Sequence, residues 1–198
     1  MTATALDTPP MTRLLGSTGM AISRVGFGAW AIGGPDWAVG WGAQDDADSV
    51  RAIRHAVERG VNWIDTAAIY GLGHSEEVVA SALAEMPQGE RPYVFTKCGQ
   101  VWDPNDRQSK LRIGRRESIM AECEASLRRL RVERIDLLQM HWPAEDGTAL
   151  DEYWGALLDL KAAGKVRAVG LSNHNADQLE AAEALGHADT LQPPLSAL

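Results

Sequence analysis

Residues 25–42 read VGFGAWAIGGPDWAVGWG, and whether they open a helix or a loop decides between two α/β architectures. Gly26, Gly28 and Ala31 spell GxGxxA, close to the fingerprint of a doubly wound dinucleotide fold. That fingerprint is meaningful only where the glycines follow a strand and start a helix. Here they lie inside the apolar run and are followed by GGPDWAVGWG, whose glycines, proline and tryptophans form a loop. The doubly wound reading fails on that context, and Gly28 is expected to let a barrel strand or a ligand approach closely.

Working outward, apolar runs recur at 25–30, 61–67, 93–99, 135–142, 166–173 and 190–193, separated by helix-length segments. Alternating strands and helices imply a parallel sheet. Helical spacing is plain in Val50, Ile53 and Val57, in Val78, Val79 and Leu83 after a capping-type Ser75, in Ile119, Cys123, Leu127 and Leu130, and in Leu150, Trp154, Leu157 and Leu158. Gly60 and Gly164 stop two of these helices. Runs such as IDLLQM are apolar on both faces, as strands covered on both sides must be. The repeat suits (β/α) units of a barrel. A hairpin-like lead, RLLGSTGMAIS, turns between Gly16 and Gly19 and is placed to plug the bottom of such a barrel. The expected organisation is a flexible tail over 1–12 and a single barrel domain over 13–198.

The 198 residues are 45% hydrophobic, enough for a sizeable core. A formal net charge of -8 argues against nucleic acid and anionic membranes as partners, because both attract surplus Lys and Arg. With no apolar stretch approaching about 18 residues and no leader-like start in MTATALDTPP, the expectation is a cytoplasmic protein with small-molecule partners. Cys98 and Cys123 are too few for a disulfide framework and are expected to be buried thiols.

Four polar residues stand where apolar runs give out: Asp65 and Tyr70 after VNWIDTA, Lys97 in YVFTKCG, and His141 closing IDLLQMH. In barrels, reactive groups come from the C-terminal ends of several strands. Each residue alone has a plainer structural role as a turn cap, solvated strand end, loop aromatic or core histidine. Together they make a site. Reducing a carbonyl by hydride transfer builds negative charge on oxygen, so a proton donor must lie within hydrogen-bond reach. Tyr70 is the candidate acid. A neighbouring ammonium, Lys97, would lower its pKa, Asp65 would pair with Lys97, and His141 would orient the carbonyl. His141 and Glu145 lack a third ligand at zinc spacing, so no metal is expected.

The runs GFGAWAIGG, GVNWIDTAAIYGLGHSEEVV, VFTKCG, SLRRLRVERIDLLQMHWP, AGKVRAVGLSNH and LQPP resemble the aldo-keto reductase family, in order and over almost the whole chain from Arg13. WAIGG, IDLLQMHWP and QPP further resemble its bacterial inositol-locus and general-stress branch. The resemblance implies a (β/α)8 TIM barrel that binds NADP(H) without a doubly wound domain, and a catalytic tetrad at Asp65, Tyr70, Lys97 and His141. It also implies nicotinamide contacts from Ser172, Asn173 and Gln192, with Ala29 and Trp30 lining that pocket and Asp65 beside it. Trp30, His141 and Trp142 are expected to face the carbonyl substrate. Trp37, Trp41 and Trp102 also fall at or after strand ends, where they could wall an apolar pocket, whereas Trp63 and Trp154 are assigned to packing. Without the resemblance, capping of the next helix explains Ser172 and Asn173 nearly as well.

Two departures stand out: Leu195 replaces the branch's tyrosine after QPP, and His174 replaces the commoner aromatic after SN. An eight-unit barrel typically needs about 250 residues. The expectation is therefore a barrel truncated after about six strands, the N-terminal portion of a longer reductase, with open sheet edges prone to self-association. Alternatives kept open are a regulatory subunit of the same fold, as in potassium-channel β subunits, and a silent fragment.

Overall fold

A computed structural model describes residues 11–194. Residues 1–10, most of the expected tail, and Leu195 lie outside the described residues. The order is β1 (Thr12–Leu14), β2 (Ala21–Ser23), β3 (Phe27–Gly28), α1 (Asp46–Glu58), β4 (Trp63–Asp65), α2 (His74–Ala84), β5 (Tyr93–Cys98), β6 (Gln100–Asp103) and β7 (Asp106–Arg112). It continues with α3 (Arg116–Leu130), β8 (Ile135–Met140), α4 (Leu150–Ala162), β9 (Val166–Ser172), α5 (Ala176–Glu183) and β10 (Thr190–Gln192).

Strands β3, β4, β5, β8, β9 and β10 form one parallel sheet in chain order. With helices α1 to α5 along it, this six-stranded parallel sheet is a curled half-barrel, as expected for (β/α) units. Successive side chains on a strand point to opposite faces, and that alternation creates two cores. Ile64, Val94, Leu138, Met140, Val169 and Leu171 pack outward against helix residues such as Val79, Ile119, Trp154 and Leu157. Phe95, Leu137 and Ala168 pack inward in a smaller cluster. The antiparallel hairpin β1–β2 closes that inner cluster with the fully buried Met20, helped by Leu15 and Ile22. Asn62 pins the hairpin by accepting from Ser23 N at 2.7 Å and donating to Ala21 O at 2.8 Å.

Three local expectations need correction. Ser75 is not a cap: α2 begins after Gly73, and Ser75 Oγ donates to Ala29 O at 2.8 Å, which ties the end of β3 to α2. Ser172 and Asn173 do not cap α5 either; Asn175 does, in a reciprocal box with Gln178. At Gly28 no atom of the described residues would meet a Cβ, so no strand approaches closely there; the close strand contact is at Gly26, whose Cβ would lie 2.3 Å from Trp63 Cε2.

The polar hairpin β6–β7, joined at Asp103–Asp106 and lying between Lys97 and α3, was not foreseen. Trp154 is fully buried and donates to Gly186 O at 3.0 Å, and half-buried Trp63 packs on Phe95, as packing residues do. Cys98 and Cys123 are buried free thiols. No helix of the described residues is long and apolar enough to cross a membrane.

Candidate active site

The polar strand ends converge. Asp65 ends β4, Lys97 lies one residue from the end of β5, and His141 follows β8 directly. Tyr70 begins a short 3-10 turn, Tyr70–Gly73, after β4. That turn is held by backbone contact, since a Cβ on Gly71 would lie 2.1 Å from Gly33 O.

Lys97 is 3% exposed. A buried ammonium is tolerated only when paired and hydrogen-bonded. Its Nζ donates to Asp65 Oδ1 at 2.7 Å, Asp65 Oδ2 at 2.8 Å and Thr66 O at 3.1 Å, which uses all three donors. The same Nζ lies 5.6 Å from the Tyr70 ring centroid. Burial lowers the Lys97 pKa, and Asp65 opposes that shift.

Tyr70 differs from the expected tuning. Burial first, and then the Asp65 charge, push its phenol pKa up, so the hydroxyl stays protonated near neutrality. The Lys97 charge is already matched by Asp65, which is why it does not pull the phenol down. The His141 ring meets Tyr70 edge-on, with centroids 5.7 Å apart. Burial and the cations Lys97, Lys110 and Arg112 hold the His141 pKa well below its usual value, so the imidazole is neutral. Its buried Nδ1 has no hydrogen-bond partner among the described residues.

Tyr70 and His141 share a cavity of about 260 Å³ with Trp30, Trp142, Gln100 and Lys110. Trp30 stacks on Tyr70 at 6.2 Å and Trp41 leans on Trp30 at 5.4 Å, while Trp37 backs Tyr70 from the interior. Trp102 belongs elsewhere, lining a separate cavity against α3.

The residues expected at a nicotinamide are mostly brought together. Asn173 Nδ2 donates to His141 O at 2.9 Å and to Ser172 Oγ at 3.1 Å, Ser172 Oγ donates to Gln192 O at 3.2 Å, and Gln192 Nε2 reaches Asp65 Oδ2 at 3.3 Å. The side-chain oxygens of Asn173 and Gln192 accept nothing among the described residues, which leaves two acceptors suited to a carboxamide NH₂. Ala29 is the exception: it is fully buried in the helix-side core and does not line the cavity of Tyr70 and His141 among the described residues. His174, buried between Tyr153 Oη (3.0 Å) and Ser172 O (2.8 Å), supports this end of β9.

Sequence reasoning missed Gln100 and Lys110, both on the unforeseen hairpin; the DPND turn at 103–106 was its signal. It also missed the buried network behind β5, where Glu76 Oε1 accepts from Thr96 Oγ1 and its Oε2 from Arg129 Nε, each at 2.6 Å. There Glu122 accepts from Gly99 N at 2.8 Å and Ser118 Oγ at 3.0 Å, and burial pushes its pKa up to about 7.

Comparison with known proteins identifies the family. The Aldo/keto reductase family model matches residues 24–198. The aldo-keto reductase YhdN of Bacillus subtilis is 38% identical over 180 residues, covering 91% of this chain and 52% of that protein. The NADH-specific methylglyoxal reductase of Escherichia coli is 38% identical over 195 residues, covering 93% of this chain and 58% of that protein. The chain thus spans little more than half the length of these curated relatives. The glycerol dehydrogenase AKR11B4 of Gluconobacter oxydans superimposes with a TM-score of 0.82 at 44% identity, over 97% of this chain and 56% of that one. From its strand-end residues, its parallel half-barrel and these matches, the chain belongs to the aldo/keto reductase family.

Proposed function

We propose that the chain carries the reaction centre of an NADP(H)-dependent oxidoreductase that reduces an aldehyde or ketone to an alcohol, with Tyr70 as the proton donor. The observation that carries this reading is the convergence of Tyr70 and His141 on one cavity, beside the buried Asp65–Lys97 pair. NADP(H), when bound, supplies the hydride. Asn173 and Gln192 would hold its carboxamide through their side-chain oxygens, which accept nothing among the described residues. The neutral His141 orients the carbonyl oxygen by donating a hydrogen bond, and the protonated Tyr70 gives its proton to that oxygen as charge builds there. Lys97, its charge matched by Asp65, holds that carboxylate in place beside the Tyr70 ring, whose centroid lies 5.6 Å from the lysine Nζ. Trp30 and Trp142 wall the cavity.

The reading includes a cytoplasmic location, supported by two free buried thiols. It also includes self-association through the edge strands β3 and β10, which sedimentation at rising concentration tests. One observation favours a second reading, a binding unit without turnover: burial and Asp65 make Tyr70 a reluctant acid. Titration with NADPH and with NADH, followed by consumption of each at the nicotinamide band with para-tolualdehyde, separates the two. Turnover supports the reductase, and binding without turnover supports the second reading. Failure to bind either cofactor contradicts both.

A further inference from the structure

Resting on the carbonyl-reductase reading, we infer that the substrate bears an anionic group, a carboxylate or phosphate, which Lys110 holds while the carbonyl faces Tyr70 and His141. The protein carries a formal net charge of -8, yet among the described residues no acidic side chain lines the cavity of Tyr70 and His141. Its walls are aromatic or aliphatic at Trp30, Ile69 and Trp142, and neutral and polar at Gln100 and Asn173. Lys110 is the one cation that lines it, exposed and with no ion-pair partner among the described residues.

The neighbouring cations are committed elsewhere. Arg112 pairs with Glu145 and lies over the Trp142 ring at 4.4 Å, and Lys97 spends its donors on Asp65 and Thr66. The hairpin explains the placement: Gln100 pairs with Arg112, and Lys110 lies two residues before Arg112 on β7, where the register shifts, so Gln100 and Lys110 reach the same cavity. The Lys110 and Arg112 charges both act on the buried His141, so the Lys110 field penetrates the cavity. An unmatched cation beside an uncharged catalytic histidine suits an anion that arrives with the substrate.

Isothermal titration of the whole chain with para-carboxybenzaldehyde and its neutral counterpart para-tolualdehyde tests this without turnover. The account expects the wild type to bind the carboxylate at least about fivefold more tightly. Lys110→Met should erase the difference and Lys110→Arg should keep it. Lys110 is exposed and makes no side-chain hydrogen bond among the described residues, so both variants should fold, which circular dichroism checks. Equal affinity in the wild type, or a preference that survives Lys110→Met, overturns the proposal. So does weakened NADPH binding in Lys110→Met, which would assign the lysine to a cofactor phosphate. If the Lys110-dependent preference holds but neither aldehyde is turned over with NADPH or NADH, the anion site stands and the reductase reading fails.

Discussion

Lys97 grips both carboxylate oxygens of Asp65, at 2.7 and 2.8 Å, and spends its third donor on Thr66 O. No ammonium proton is left for Tyr70, so the tyrosine feels this pair only through space. The pair is nearly dry, with side-chain exposures of 2% for Lys97 and 17% for Asp65. Removing one partner of such a pair costs far more than replacing both.

Asp65→Asn is therefore expected to cost about 3 kcal/mol, measured by urea unfolding, because a buried ammonium loses its counter-charge. The double variant Asp65→Asn, Lys97→Met should recover most of that loss. Purely additive losses in the double-mutant cycle would show that the two side chains are not coupled.

Glu122 gives the fold a pH signature. Its pKa is raised to about 7, so the protonated form is favoured in the folded state. The stability it contributes is fully present below its ordinary value of 4.5 and is lost as pH rises through about 7, a fall of roughly 3 kcal/mol. His141 works in the opposite sense: its lowered pKa contributes stability that is present above the ordinary imidazole value and lost in acid. Comparing the wild type with Glu122→Gln isolates the first effect. The variant should lack the loss between about pH 4.5 and 7, and identical pH slopes would remove Glu122 from the account.

Gly71 should not tolerate a side chain. It sits at φ +62°, and its Cβ would fall 2.1 Å from a backbone oxygen that cannot swing away. Gly71→Ala should cost at least about 2 kcal/mol and displace Tyr70. Gly155→Ala, facing open space inside α4, should instead gain up to about 1 kcal/mol. Thermal melts of the two variants give opposite signs if the packing of the Tyr70 turn is as described.

Much of this was legible in the sequence, because strand ends and helix periods are local signals. Asp65, Lys97 and His141 each terminate an apolar run, so their common placement could be read directly. The inner and outer faces could not: IDLLQM is apolar on both sides, and only register separates Leu137 from Leu138. The hairpin carrying Lys110 was hidden because DRQSKLR has no apolar stripe, although DPND marks its turn. Nor could sequence show that Ala29 turns into the core or that Asp65 outweighs Lys97 at Tyr70. Both depend on burial and on which partner takes the charge first.

The central claim is that Tyr70 is the acid, and Tyr70→Phe tests it most directly because it deletes one oxygen and keeps the ring that stacks beneath Trp30. With NADPH and para-tolualdehyde, the rate of nicotinamide consumption should fall by about 10²–10⁴ while cofactor affinity stays the same. A variant that turns over at the wild-type rate contradicts the account.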